Sequence, residues 1–149
     1  MKKANGWSRA DGLITVSLFL GTFISRIPFR TTLLGAWDSV LYTRAIEHFD
    51  ITIGQPQPPG HLFYVGLIRL ANVLTGEPNW AMVWVSILAA AAAVTALYWA
   101  GRMIFDRQAA LAAALLLATS LSSCSRRALA LPYTLLGFLS VTVSGLVYL

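Results

Sequence analysis

The chain has 149 residues, 57% of them hydrophobic and 11% charged, with a mean hydropathy of +0.68. A soluble domain carries about 25% charged residues, so this chain lacks the polar surface to cover itself in water. With 11 Gly, 6 Pro and one Cys it is neither disordered, collagenous nor a disulfide scaffold, and the 11 basic residues behind its net charge of +5 form no basic stripe for nucleic acid.

Four stretches are free of charge: Gly12–Ser25, Pro78–Gly101, Gln108–Ser125 and Ala128–Leu149. A helix needs about 20 apolar residues to cross a hydrocarbon core of roughly 30 Å, which the second and fourth satisfy directly. The first reaches that length if Arg26 snorkels and Ile27 and Phe29 are included. A cleaved signal peptide would need small residues after the apolar run. The chain instead reads Phe23-Ile24-Ser25-Arg26-Ile27-Pro28, so an uncleaved first helix is expected. Lys2, Lys3 and Arg9 favour a cytoplasmic N-terminus, which also puts Arg102 and Arg107 in a cytoplasmic turn; Arg126 and Arg127 then fall outside, against the trend.

The expected fold is an all-α integral-membrane bundle of about four transmembrane helices, near 12–29, 79–101, 108–125 and 130–149, forming one membrane domain over 1–149. Ala92, Ala96 and Ala100, like Ala110, Ala114 and Ala118, recur every four residues and suit close helix packing. Trp80 and Trp84 at one end of the second span, and Tyr98 and Trp99 at the other, suit interfacial belts. Cys124 has no intrachain partner and reads as a small packing residue.

The outer loop, about 30–78, carries the chemistry. With its flanks, Pro28–Glu77 holds both His, four of the six acidic residues and four of the six Pro. A long loop in a compact membrane protein is usually functional. Two helices are expected in it, lying at the membrane surface. The first runs from Trp37 to about Phe49, with Asp38 or Ser39 as N-cap; the second runs from about His61 to Leu74 and stops at Gly76. Gln55-Pro56-Gln57-Pro58-Pro59-Gly60 between them reads as an extended, stiff connector, either a spacer or the wall of a site facing Asp38. On a helix, His48 would point away from the Glu47 and Asp50 carboxylates, so no metal site is expected there.

Arg30, then Trp37-Asp38-Ser39 with Tyr42 and Ala45, then the Gln-Pro-Gln-Pro-Pro-Gly run and an apolar helix resemble the start of a GT-C glycosyltransferase. These multi-span enzymes are related to the protein O-mannosyltransferases and the lipid A aminoarabinose transferases. The resemblance covers about Gly12 to Leu149. It implies an inverting transfer of sugar from a polyprenyl-phosphate donor to an acceptor hydroxyl at the outer surface of a bacterial cytoplasmic membrane, with Asp38 as general base. A hydroxyl is a poor nucleophile until a base takes its proton as the new bond forms, and the departing phosphate needs donors or cations. Arg30, Arg44 and His61 are candidates for the phosphate, and Tyr42, Gln57, Pro58 and Pro59 for other substrate contacts. The bland readings are an N-cap for Asp38, interfacial anchors for Arg30 and Arg44, and a helix-start residue for His61. The expected partners are membrane lipid and the lipid-linked donor; no cofactor is assigned, and a divalent metal is left open.

The sequence departs from the family in three respects. Relatives often carry His where Gln57 stands. Ahead of the familial Ala130-Leu131-Pro132-Tyr133 they tend to have an acidic residue, where this chain has Ala128 behind Ser122-Ser123-Cys124-Ser125-Arg126-Arg127, as a local reading-frame slip over 121–128 would produce. Relatives also have many more spans, so the chain reads as the N-terminal part of such an enzyme. The alternative to an active enzyme is a catalytically silent truncated module or partner subunit. A transporter is disfavoured, because intramembrane charges are nearly absent and no inverted repeat is visible.

Overall fold

A computed structural model of the protein describes residues 8–30, 34, 37–119 and 132–147. Lys2, Lys3, Cys124, Arg126, Arg127 and Ala128 lie outside the described residues, and with them the departure over 121–128. The described architecture is a helical membrane bundle. Its elements are α1 (Arg9–Arg26), α2 (Trp37–Glu47), α3 (Leu62–Thr75), α4 (Pro78–Ile104), α5 (Arg107–Thr119) and α6 (Tyr133–Val147). Arg9–Phe29, which adds a 3-10 turn to α1, and Pro78–Ile104 are long and apolar enough to cross a membrane. α3, α5 and α6 are shorter apolar helices.

Local chemistry sets the helix ends. Ser8 and Asp11 form a reciprocal capping box: the Asp11 N–H donates to Ser8 Oγ and the Ser8 N–H to Asp11 Oδ2. Gly76, at φ 69°, stops α3 by donating its N–H to the Asn72 carbonyl. Pro78 opens α4, and the Glu77 carboxylate accepts from the Asn79 and Trp80 N–H groups. Asp106 Oδ1 accepts from the Ala109 N–H at the start of α5.

α4 is the central mast, with α1, α3, α5 and α6 packed around it. Its run Ala89, Ala90, Ala91, Ala93 is buried, as are Ala81, Ala100 and the larger Met82, Val83, Ile87 and Val94. Small side chains let these backbones approach closely, which in lipid replaces the missing hydrophobic drive. At Gly101 an added Cβ would lie 3.1 Å from the Ala110 Cα of α5, and at Gly145 of α6 it would lie 3.1 Å from the Ala100 Cβ. The Ala110–Ala114 face is buried as expected, whereas Ala92 and Ala96 are half-buried. Leu13, Val16, Leu20 and Ile24 form the exposed outer face of α1, and Leu18, Thr22 and Arg26 its buried one.

α1 and α4 are antiparallel. Near the end of α1, the Phe23 ring stacks on Trp84 with centroids 5.9 Å apart, and the Arg30 guanidinium lies 5.4 Å from the Trp80 ring centroid. At the other end, the buried Asp11 carboxylate gathers three helices. Its Oδ1 accepts from Tyr98 Oη at 2.8 Å, Arg107 Nε at 3.0 Å and Arg102 Nε at 3.2 Å. Its Oδ2 accepts from Arg107 Nη2 at 3.0 Å, and the same Nη2 donates to Ser8 Oγ at 2.8 Å.

Five expectations change. Tyr98 is fully buried on Asp11 and belongs to no interfacial belt, because its phenol is needed as an internal donor. Arg26 is buried and does not snorkel: its Nη2 donates 2.8 Å to the Ala118 carbonyl, placing a cation at the C-terminal end of α5. α2 begins at Trp37, so neither Asp38 nor Ser39 caps it, and Asp38 lies in its first turn. α2 ends at Glu47, which lets His48 turn back to within 4.0 Å of Asp50 Oδ2. The proline segment is folded, not extended, as described below.

The tight α4–α5 contact yields a stability test. Gly101→Val should cost about 1–3 kcal/mol through overpacking against the Ala110 backbone and lower the apparent melting temperature in detergent. Gly137→Ala, where nothing lies within 4 Å of an added Cβ, should leave it unchanged or raise it.

Candidate active site

The loop between α1 and α4 is compact. After α2, Asp50 and Gln55 exchange backbone hydrogen bonds at 2.8 Å around a 3-10 turn, Ile51–Ile53, that Gly54 closes at φ 73°. The Thr52 hydroxyl and amide hold the Asp50 carboxyl below the usual carboxylate range, with a smaller pull from His48. The chain then reverses over Gln57–Gly60, where the Gly60 N–H donates to the Gln57 carbonyl at 2.9 Å. The Pro58–Pro59 peptide is cis, which makes this a type VI turn. An extended connector is thus replaced by two consecutive reversals.

Two positive-φ residues complete the turn into α3. Gly60 has φ 83°, which favours glycine, and an added Cβ would meet the Ile51 Cδ1 at 2.9 Å, so the Ile51 side chain would have to shift as well. His61 follows at φ 38°, ψ 53°, a left-handed conformation that costs an L-residue roughly 1–2 kcal/mol. Such outliers persist only where the surroundings over-determine them.

This turn brings four expected residues to one pocket. Asp38, Leu41 and Tyr42 from α2, Gln57 and His61 from the loop, and Pro132 and Tyr133 at the start of α6 line a cavity of about 50 Å³. That volume takes a few waters or one small polar group, not a whole sugar. Beneath it, Tyr42 meets the buried Tyr64 edge to face at 5.1 Å and lies 6.4 Å from the His61 ring. Tyr42, Ala45, Tyr64, Val65, Ile68, Met82 and Leu135 form the core on which the pocket rests. Burial, and then the neighbouring Asp38 charge, push the Tyr42 phenol up to about 12. It therefore remains a hydrogen-bond donor across the physiological range.

Other expected residues lie off the pocket wall. Arg30 is stacked on Trp80, Arg44 is exposed on α2, and Pro58 and Pro59 are exposed on the turn. Among the described residues, no three His, Cys, Asp or Glu side chains converge as a metal-ligand group.

Sequence reasoning missed two features. Pro132 and Tyr133 were legible as a familial stretch but not as pocket wall, because nothing local links α6 to α2. Asp11, just ahead of the charge-free run that begins at Gly12, carried no expectation. The Ser8-x-x-Asp11 capping-box spacing was its one available signal.

Fold and site together define a helical membrane protein with a polar pocket at one end of its bundle, opposite a buried ion-pair cluster. Residues 57–147 match the family described as dolichyl-phosphate-mannose-protein mannosyltransferase. The chain belongs to that family, whose membership indicates a membrane glycosyltransferase with a lipid-linked sugar donor. Comparison with curated proteins and with solved structures returns no match. The resemblance read over about Gly12 to Leu149 is thus matched from Gln57 onward, taking in Gln57, Pro58, Pro59 and His61 but not Arg30, Asp38, Tyr42 or Arg44.

The raised Tyr42 value gives a titration test. A phenol held protonated above its ordinary value near 10 contributes stability that is complete below that pH and is lost as pH rises toward about 12. In an ultraviolet difference titration of wild type against Tyr42→Phe, the Tyr42 signal should emerge close to pH 12 and move lower in Asp38→Asn. Ionisation at the ordinary value in wild type would show that the pocket is open to water.

Proposed function

We propose that the chain transfers a sugar from a polyprenyl-phosphate donor to an acceptor hydroxyl at the outer membrane surface, with Asp38 as general base. The observation that carries this reading is that Asp38 and Tyr42, which precede the family-matched segment, share one pocket with Gln57, His61, Pro132 and Tyr133, which lie within it. A carboxylate close to a phenol, an imidazole and an amide offers both a proton acceptor and neutral donors within a small volume.

In this mechanism the acceptor oxygen attacks C1 of the sugar as Asp38 takes its proton. The C1–O bond to the phosphate breaks on the opposite face, so the anomeric centre inverts. The leaving phosphate is met by His61 and Tyr42, whose hydrogen bonds strengthen as charge develops on it. Gln57 orients sugar hydroxyls through its amide. Arg30 and Arg44, off the pocket wall, hold lipid headgroups around the donor. The small cavity seats the reacting atoms, and the remainder of the sugar lies beyond it.

The same proposal sets the topology. Four helices, α1, α4, α5 and α6, cross the bilayer, with the N-terminus inside and the loop carrying α2 and α3 outside. The antiparallel order of α1 and α4 supports this, as do Arg102 and Arg107 at the end away from Asp38. The exposed Leu62, Phe63, Leu70, Val73 and Leu74 on α3 fit a surface helix with one face in the hydrocarbon and Val65 and Ile68 against the bundle.

A second reading, a catalytically silent module or partner subunit, is favoured by the pocket's volume and by the lack of any Arg or Lys among its described lining residues. One assay separates the two. Membranes containing the chain are supplied with radiolabelled polyprenyl-phosphate sugars, and wild type is compared with Asp38→Asn, which keeps size and removes the base. Activity should fall by about 10²–10⁴-fold in the variant. Equal activity in both would overturn the role of Asp38, and no activity in folded, inserted wild type alongside a working full-length relative would favour the silent module.

A further inference from the structure

α2 supplies Asp38 and Tyr42 to the pocket, one helical turn apart. Like any helix it ends in carbonyls that find no N–H within the helix itself. The His48 N–H closes the final turn on the Arg44 carbonyl at 2.9 Å. The next carbonyl, that of the fully buried Ala45, accepts from a side chain 24 residues further on: Arg69 Nη2 of α3 donates to it at 2.9 Å. A buried carbonyl needs such a partner, and a cation suits the negative end of a helix dipole. The Arg69 guanidinium is not among the groups that line the pocket.

α2 is thereby held on α3 at two places. Tyr42 meets the Tyr64 ring edge to face at 5.1 Å, and Ala45 is bonded to Arg69. One contact alone leaves a helix free to pivot, whereas two set the direction of its axis. Along that axis Ala45 lies about 4.5 Å from Tyr42, and Asp38 lies about 6 Å from it on the other side. A displacement of about 1 Å at Ala45 therefore becomes one of similar size or more at Asp38, in the opposite sense.

We propose that Arg69 is a positioning residue for the transfer: from outside the pocket, its bond to the Ala45 carbonyl sets the tilt of α2 and so the place of Asp38 against the acceptor. This rests on the assignment of Asp38 as base and adds the contact that aims it. Without the guanidinium, the Ala45 carbonyl is buried and unpartnered, and α2 relieves that cost by swinging the carbonyl toward water. A misplacement of about 1 Å at reacting groups costs roughly 10²-fold in rate. The loss falls on kcat, since Arg69 itself touches neither substrate.

The test uses the whole chain in lipid nanodiscs. Arg69→Met keeps the apolar stem and loses the donor, whereas Arg69→Lys keeps a donating cation, which is enough for a single bond. With a radiolabelled polyprenyl-phosphate sugar, Arg69→Met should lower kcat by about 10–100-fold and leave the donor KM within about threefold. Arg69→Lys should recover most of that loss. In an Asp38→Asn background Arg69→Met should cost nothing further, because both changes act through one carboxylate. Gly66→Ala, also on α3 and with nothing within 4 Å of an added Cβ, should keep the wild-type kcat. A second readout needs no turnover. In ultraviolet difference titration against Tyr42→Phe, the Tyr42 phenol should ionise below its wild-type value of about 12 once Arg69→Met lets α2 pivot and admits water. Melting curves establish folding, and Arg69→Gln, too short to reach the carbonyl, takes the place of a misfolded Arg69→Met. Unchanged kcat in the folded variant, or an equal fall in both backgrounds, would overturn the positioning role and leave Asp38 as base. Inactive wild type with a lowered Tyr42 titration in the variant would overturn the transfer reading and retain the tilt. An unchanged Tyr42 titration would overturn the tilt itself.

Discussion

The bundle depends on how closely other backbones can approach α4. In hydrocarbon, apolar side chains gain little by leaving lipid for protein, so helix association rests on dispersion and on internal satisfaction of polar groups. α4 meets both conditions. Its alanines and Gly101 offer a low surface to α5 and α6, and its ends carry the polar contacts: Glu77 capping one end, Tyr98 and Arg102 bound to Asp11 at the other. Because four helices share this one mast, a displacement along it is felt by all of them.

The two ends of the bundle are built differently. At the Asp11 end, a single carboxylate fixes α1, α4 and α5 through directed, charge-assisted hydrogen bonds, which tolerate little movement. At the Asp38 end, the Tyr42–Tyr64 ring contact is joined by single directed bonds between neighbouring elements, such as the one that Arg69 Nη2 of α3 donates to the Ala45 carbonyl of α2 at 2.9 Å. The pocket is closed by segments distant in sequence: α2, the proline turn and the start of α6.

Much of this was legible in the sequence, for identifiable reasons. The charge-free runs gave α1 and α4 because charge exclusion is a strong and local signal, and Gly76 marked the end of α3 because a left-handed C-cap favours glycine. The early aspartate and the double-proline segment were readable together as a family pattern, and the structure brings Asp38, Gln57 and His61 to one cavity. What escaped reading depended on distant partners. The buried states of Asp11, Tyr98 and Arg26 follow from contacts 87 to 96 residues away, which periodicity along one helix does not reveal. The proline run misled because φ restriction describes each residue, whereas the direction of the chain was decided by the Gly60–Gln57 hydrogen bond and by packing of Ile51 against Gly60.

The Asp11 cluster also joins segments that are synthesised far apart. α1 carries a carboxylate whose partners Tyr98, Arg102 and Arg107 follow 87 to 96 residues later. An unpaired carboxylate is costly in hydrocarbon, and the partner nearest to Asp11 in sequence is Ser8 at the start of α1. α4 and α5, joined through Phe105 and Asp106 and touching at Gly101 and Ala110, form a local hairpin that arrives as one piece. Its tip carries the two guanidinium groups. Pairing of Asp11 with that tip therefore fixes the register of α1 against both arms of the hairpin.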